Sequence, residues 1–362
     1  MQNVLKLNKN YEELYTLIKN LREYARDNTN GKFARLSCYA SYDSLVNILP
    51  SKGMLFYDNN EMTLEELFDS ICEKEINAAY RTKKSYQVTV DSFYEEIYKI
   101  IAIETKSRQQ EFLPIDISSK EQFEILKGYY QTTDKRLEKL FLEYTKNDKI
   151  FAIPSNKEES NAFGTNFINP LSDESVVLIN DKLSSIDTML ALTHEFGHVL
   201  DNITFRDTHT NKETMKYFFT SLYSETNSTY QELAFLEYLI KNDIYQKEAI
   251  RTIKENIVNL HLMPFTIMAS KEEKDESRLF EDYTNDDFIE LANIKDEAVE
   301  LMTYGYGFMF AIAMLDDNDL YEKFQLLRTP RLDKKKLDQK GFTDSVISKT
   351  MVKKINEYYR RK

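Results

Sequence analysis

SIDTMLALTHEFGHVL (185–200) decides how this sequence is read, because it is an apolar helical stretch interrupted by two imidazoles and a carboxylate. Working outward, SVVLIN (175–180) and KIFAIP (149–154) are short, rich in β-branched or aromatic residues, and bounded by Pro, Asn and Ser, as strands are. NAFGTNF (161–167) reads as a third strand, weakened by Gly164. Further out the pattern is helical. Tyr11, Leu14, Leu17, Ile18, Leu21, Tyr24 and Ala25 share one stripe over 11–25, and helical patterns cover 63–80, 87–107 and 119–146. Helical pattern also dominates from 185 to the end. The expected fold is mainly α with a small β-sheet: a helical N-terminal region over 1–148, and a region over 149–362 that holds the sheet and the 185–200 helix. The two are expected to share one core.

Composition agrees with that reading. Hydrophobic residues make up 42% and charged residues 30% of 362 residues, a globular balance, and only 8 Gly and 6 Pro leave little punctuation for a many-stranded fold. The net charge of −12 repels phosphate backbones and anionic lipid, so neither nucleic acid nor membrane is an expected partner. Cys38 and Cys72 are too few for a disulfide framework and read as reduced thiols. MQNVLKLNKNYEEL (1–14) has no apolar core of the secretory kind, and no apolar run approaches the ~18 residues of a membrane span. The expected location is the cytoplasm.

His194 and His198 are four residues apart, so both imidazoles leave the same helix face and can converge on one cation. Zinc suits such ligands and keeps an open position for water, whose pKa falls to about 7. Glu195 stands where a carboxylate can take that water's proton and later hand it to a leaving amine. Two imidazoles and a carboxylate inside an apolar helix also need a role, since unpaired polar groups are costly to bury.

A catalytic zinc takes three protein ligands. The residue six positions after His198 is Thr204, so a third histidine of one known spacing is missing, and Asp201 reads as a second-sphere or surface group. Downstream, SLYSETNSTYQELAFLEYLI (221–240) is helical, with Glu225, Ser228, Thr229 and Glu232 on one face. Either acid is a candidate: Glu225 as ligand, Glu232 as the partner of a ligating imidazole. Glu237 points about a third of a turn away from Glu225.

Taken together, HEFGH (194–198) and Glu225-Thr226-Asn227-Ser228-Thr229-Tyr230-Gln231-Glu232 resemble the oligoendopeptidase F and thimet oligopeptidase family of zinc peptidases. The likeness covers roughly 150–316. It implies a helical fold with a substrate channel, one zinc held by His194, His198 and Glu225, and Glu232 behind the ligands. It also implies that an exposed strand before the zinc helix pairs with the substrate backbone, here Val176, Val177, Leu178, Ile179 and Asn180. LMTYGYGFMFAIAM (301–314) resembles the family's tyrosine-rich stretch, which implies oxyanion donation by Tyr306, or by Tyr304 if the register shifts by two. Two departures stand out. No histidine occurs in 282–303, where the family carries one, and the chain is shorter than typical members, mainly before the zinc helix.

The expected activity is therefore cleavage of short, unfolded peptides. A catalytically weak peptide-binding protein that kept the metal site is the first alternative, favoured by the missing histidine and opposed by Glu195. A zinc peptidase of another lineage with a regulatory protein target is the second; neither a helix-turn-helix nor a basic patch supports it.

Overall fold

In the computed structural model, which describes residues 4–49, 64–70, 115–153, 163–172, 174–210, 213, 224–257, 295–327 and 334–361, the chain is mainly helical with a small three-stranded sheet. The expected helix over 87–107, most of that over 63–80, and Cys72, His261 and 282–294 lie outside these residues. Two compact units form: Met1–Glu73 with Pro114–Met215, and Lys74–Leu113 with Lys216–Lys362.

In the first unit, α1 (Glu12–Arg26) packs on α2 (Lys32–Ile48). The predicted α1 stripe is the buried one: Leu14, Ile18, Leu21 and Ala25 are enclosed, with Tyr11, Leu17 and Tyr24 at its margin. The expected helix over 119–146 is two helices, α3 (Ser119–Thr132) and α4 (Lys135–Lys146). The break falls at Asp134, whose carboxylate accepts from the Arg136 N–H, capping α4 and so ending the run.

The sheet contains β1 (Ile150–Ile153), β2 (Gly164–Ile168) and β3 (Ser175–Asn180), in the order β1-β3-β2. β3 pairs parallel with β1 and antiparallel with β2. This corrects the expectation that Val176–Asn180 present an exposed edge to substrate. Ile150–Ile153 occupy one side of β3 and Gly164–Ile168 the other, so its main chain is committed within the sheet. Val177, Leu178 and Ile179 are fully buried, as a central strand's side chains should be. Asn8 bridges to β1 at Phe151, so among the described residues β2 is the outer strand.

Alternation assigns the faces. Phe151, Ile153, Phe167 and Leu178 join the α1/α2 core. The other face meets α5 (Ser185–Arg206), which packs on β2 and β3. Phe196 anchors α5 from its far side, meeting Tyr130, Phe141 and Tyr144 edge-on at 5.9, 6.0 and 5.2 Å between ring centroids. Tyr144 in turn hydrogen-bonds Ser175 on β3. Burial pushes the Cys38 thiol up to about 12, which fits an inert core cysteine.

The second unit is helical among its described residues: α6 (Thr226–Lys241), α7 (Gln246–Asn256), α8 (Lys295–Met314), α9 (Asn318–Leu327), α10 (Lys334–Gln339) and α11 (Asp344–Arg360). α8 is its centre, packing on α6, α9 and α11. Phe308, Met309, Phe310, Ala311, Ile312 and Met314 are all enclosed, so this helix is apolar on every side in its second half. Among the described residues no helix is long and apolar enough to cross a membrane.

Candidate metal centre

The start of α5 is fixed by reciprocal capping. Ser184 Oγ accepts from the Asp187 N–H at 3.3 Å and donates to the Asp187 carboxylate at 2.7 Å. Two turns on, most of the helix is enclosed, but His194 and His198 are half-buried. Their Nε2 atoms stand 3.0 Å apart, with the rings edge-on at 4.7 Å between centroids. Between them in sequence, Glu195 is 4% exposed. Its carboxylate accepts from Asn166 Nδ2 on β2 at 3.1 Å, and Asn166 Oδ1 accepts from Asn202 Nδ2, further along α5, at 3.0 Å.

Gly164 explains how a glycine serves β2. A Cβ there would meet Ile179 Cδ1 at 2.9 Å, and Glu195 Cγ and the Leu178 carbonyl oxygen at 3.1 Å. The absent side chain makes room for the Glu195 stem, so the residue that weakens the strand pattern is the one the site requires. Asp201 is fully buried rather than a surface group. His209 lies just beyond α5, stacked on Phe205 at 4.5 Å.

In the second unit, Glu225 immediately precedes α6 and is half-buried. Ser228 Oγ lies 3.0 Å from both its main-chain oxygen and its Oε2. Gly307 of α8 lies against its backbone: a Cβ there would come within 2.9 Å of the Glu225 carbonyl carbon. The first turn of α6 is buried and polar, with Asn227 Oδ1 accepting from Gln325 Nε2 at 3.1 Å and from the Tyr321 hydroxyl at 3.4 Å. Glu232 is buried on the same helix. Glu237, also buried, pairs with Arg361 at 3.3 Å and Lys241 at 3.7 Å. Tyr306 is enclosed at 1% exposure and Tyr304 is half-buried.

The donor chemistry fits zinc. Two nitrogens bound to one tetrahedral zinc at ~2.0–2.1 Å stand about 3.3 Å apart, close to the 3.0 Å between the two imidazoles. Asn166, Asn202 and Gly307 escape sequence reasoning. An asparagine inside a strand, a residue type strands disfavour, was the one local signal available for Asn166.

No family model and no curated protein matches the sequence. A solved structure provisionally described as an oligoendopeptidase F from Bacillus anthracis str. Ames is similar, at 13% identity and a TM-score of 0.47, over 94% of this chain and 69% of that one.

Proposed function

We propose that this chain is a zinc-dependent endopeptidase that hydrolyses peptide bonds in short, unfolded peptides. The observation that carries the reading is the pair of half-buried imidazoles with Nε2 atoms 3.0 Å apart, on the same helix as the buried Glu195 carboxylate. Such a cluster is expensive in an apolar helix unless a cation and a reaction use it.

His194, His198 and Glu225 are the proposed ligands, with Glu232 behind them. The spacing E-x-x-S-T-x-x-E after the zinc helix supports that choice. When bound, a zinc ion would supply Lewis acidity, polarising the scissile carbonyl and lowering the pKa of a water to about 7. Glu195 takes the proton of the attacking water and passes it to the leaving amine. Tyr306, or Tyr304 two positions earlier, donates a hydrogen bond to the oxyanion. The outer edge of β2 has main-chain groups to pair with an extended peptide, which selects for conformation more than for side chains.

Unfolded peptides are the favoured substrates because laying a strand along an edge costs ~1–2 kcal/mol of ordering per residue. A folded domain would lose its packing as well. The net charge of −12 is compatible with cationic peptides. No step draws on nucleic acid or lipid, and the cytoplasm is the proposed location.

The test uses protein reconstituted with zinc and an unstructured peptide, presented free and then grafted into a stable domain. One zinc per chain, chelator-sensitive cleavage, and strong preference for the free peptide are expected. Absence of cleavage with zinc bound would leave the peptide-binding alternative, favoured by the lack of a histidine in 282–303. Equal cleavage of both forms would remove the restriction to unfolded peptides.

A further inference from the structure

β2 is shaped toward α5 at two positions, and both meet the same side chain. Gly164 and Asn166 are two residues apart, so they share the strand face that packs on α5. Gly164 leaves room for the Glu195 stem, while Asn166 Nδ2 donates to Glu195 Oε2 at 3.1 Å. Asn166 is itself held, because its Oδ1 accepts from Asn202 Nδ2 at 3.0 Å. Asn202 lies seven residues after Glu195, two helical turns along the same face of α5.

We infer that Asn166 and Asn202 are positioning residues for the general base, a relay that sets which way the Glu195 carboxylate faces. The inference rests on the proposed peptidase reading for its consequence, and on the hydrogen-bond geometry for its existence. An amide can present either its oxygen or its NH2 group to a neighbour. Presented to a carboxylate, the oxygen repels and the NH2 binds. The carboxylate selects the NH2, and Asn202, by donating to Asn166 Oδ1, holds it in that orientation. A buried carboxylate with one oxygen pinned loses the rotation that would carry its other oxygen away from the attacking water. Rates depend steeply on such placement.

The relay makes an ordering of variants that bulk or stability alone would not give. Asn202→Ala removes the anchor and leaves the Asn166 amide able to keep its orientation. Asn202→Asp offers only acceptors at neutral pH, so it draws the Asn166 NH2 toward itself and turns the Asn166 oxygen onto Glu195. The aspartate, nearly the same size, is therefore expected to be the more damaging change. Asn166→Ala removes the donor outright, and Asn166→Asp places a second carboxylate against Glu195.

The experiment measures kcat and KM on an unstructured peptide, zinc content and thermal midpoint for the four variants in the zinc-loaded enzyme. It also follows the Asn166 side-chain amide protons by NMR in wild type and in Glu195→Ala. Asn166→Ala is expected to lower kcat by ~10–100-fold, in line with outer-sphere losses at metal sites, with KM, zinc content and midpoint near wild type. Asn202→Asp should lower kcat several-fold more than Asn202→Ala. The Asn166 amide signal should lose its hydrogen-bonded character when Glu195 is removed. Asn166→Ala at wild-type kcat, Asn202→Ala at least as damaging as Asn202→Asp, or an Asn166 amide indifferent to Glu195→Ala would each overturn the relay. A wild-type enzyme that binds zinc but cleaves nothing would instead sink the proposed function, and the NMR comparison would still decide the hydrogen bonds.

Discussion

Helix α5 carries His194, Glu195 and His198, whereas Glu225 stands at the start of α6, and the two regions hold their side chains by different means. On α5 the spacing comes from helix geometry: residues four apart stack on one face in any helix of this sequence. The tertiary contribution lies around Glu195, in the room left by Gly164 and the bond from Asn166. Glu225 stands at the N-cap of α6, its carbonyl accepting from the Thr229 N–H at 3.0 Å and its carboxylate meeting Ser228, and Gly307 of α8 approaches its backbone closely. The first region is a local motif refined by packing; the second is a helix start that depends on a close packing contact as well as on its local bonds.

Changes at Glu195 should therefore act on chemistry, and changes around Glu225 on metal affinity. Glu195→Gln is the largest expected effect: a loss of ~10²–10⁴ in kcat with zinc retained, since general-base catalysis is worth that much. Activity within tenfold of wild type in a steady-state assay would remove Glu195 from the role. Next comes Tyr306→Phe, for which ~10²–10³ in turnover is expected with zinc content unchanged, as for loss of one oxyanion donor. Damage from Tyr304→Phe instead would shift the register by two and keep the mechanism.

The comparison is tested most directly by chelator competition. Glu225→Ala should release zinc most readily, Glu232→Ala should cost about 10–100-fold in affinity as an outer-sphere loss, and Glu237→Ala should cost least, because its carboxylate is committed to Arg361 and Lys241. Zinc lost from Glu232→Ala but kept by Glu225→Ala would exchange their roles. Gly307→Ala places a methyl within 2.9 Å of the Glu225 backbone. Overpacking of this kind costs about 1–3 kcal/mol, so a lowered thermal midpoint and weaker zinc binding should appear together. The smallest expected effect is Ser228→Ala, a several-fold loss of zinc affinity with the midpoint nearly unchanged, read in the same competition assay. If Ser228→Ala proved worse for zinc than Gly307→Ala, Glu225 would be held locally after all, and the contrast with α5 would disappear.

The α1 stripe was legible because period and burial coincide there, and the three short strands because β-branched and aromatic residues cluster in them between turn residues. The break between α3 and α4 was not, since Thr132-Thr133-Asp134 interrupts a continuous helical pattern by one side-chain cap. Strand order was illegible for a different reason. SVVLIN is as apolar as a buried middle strand should be, but apolarity does not say which neighbours lie beside it. With β1 and β2 paired on either side of it, the outer strand among the described residues is GTNFI.

By itself the sequence determined the mainly helical class, the small sheet and the convergence of two imidazoles, because helical and strand periods are local properties that survive any arrangement of the elements. Only the tertiary structure decided that β3 is central, that Gly164 and Asn166 face Glu195, and that Gly307 lies against Glu225. The contacts of Gly164 and Asn166 with Glu195 and of Gly307 with Glu225 join residues between 29 and 82 positions apart, and distances of that kind are set by how the elements pack, which no local pattern encodes.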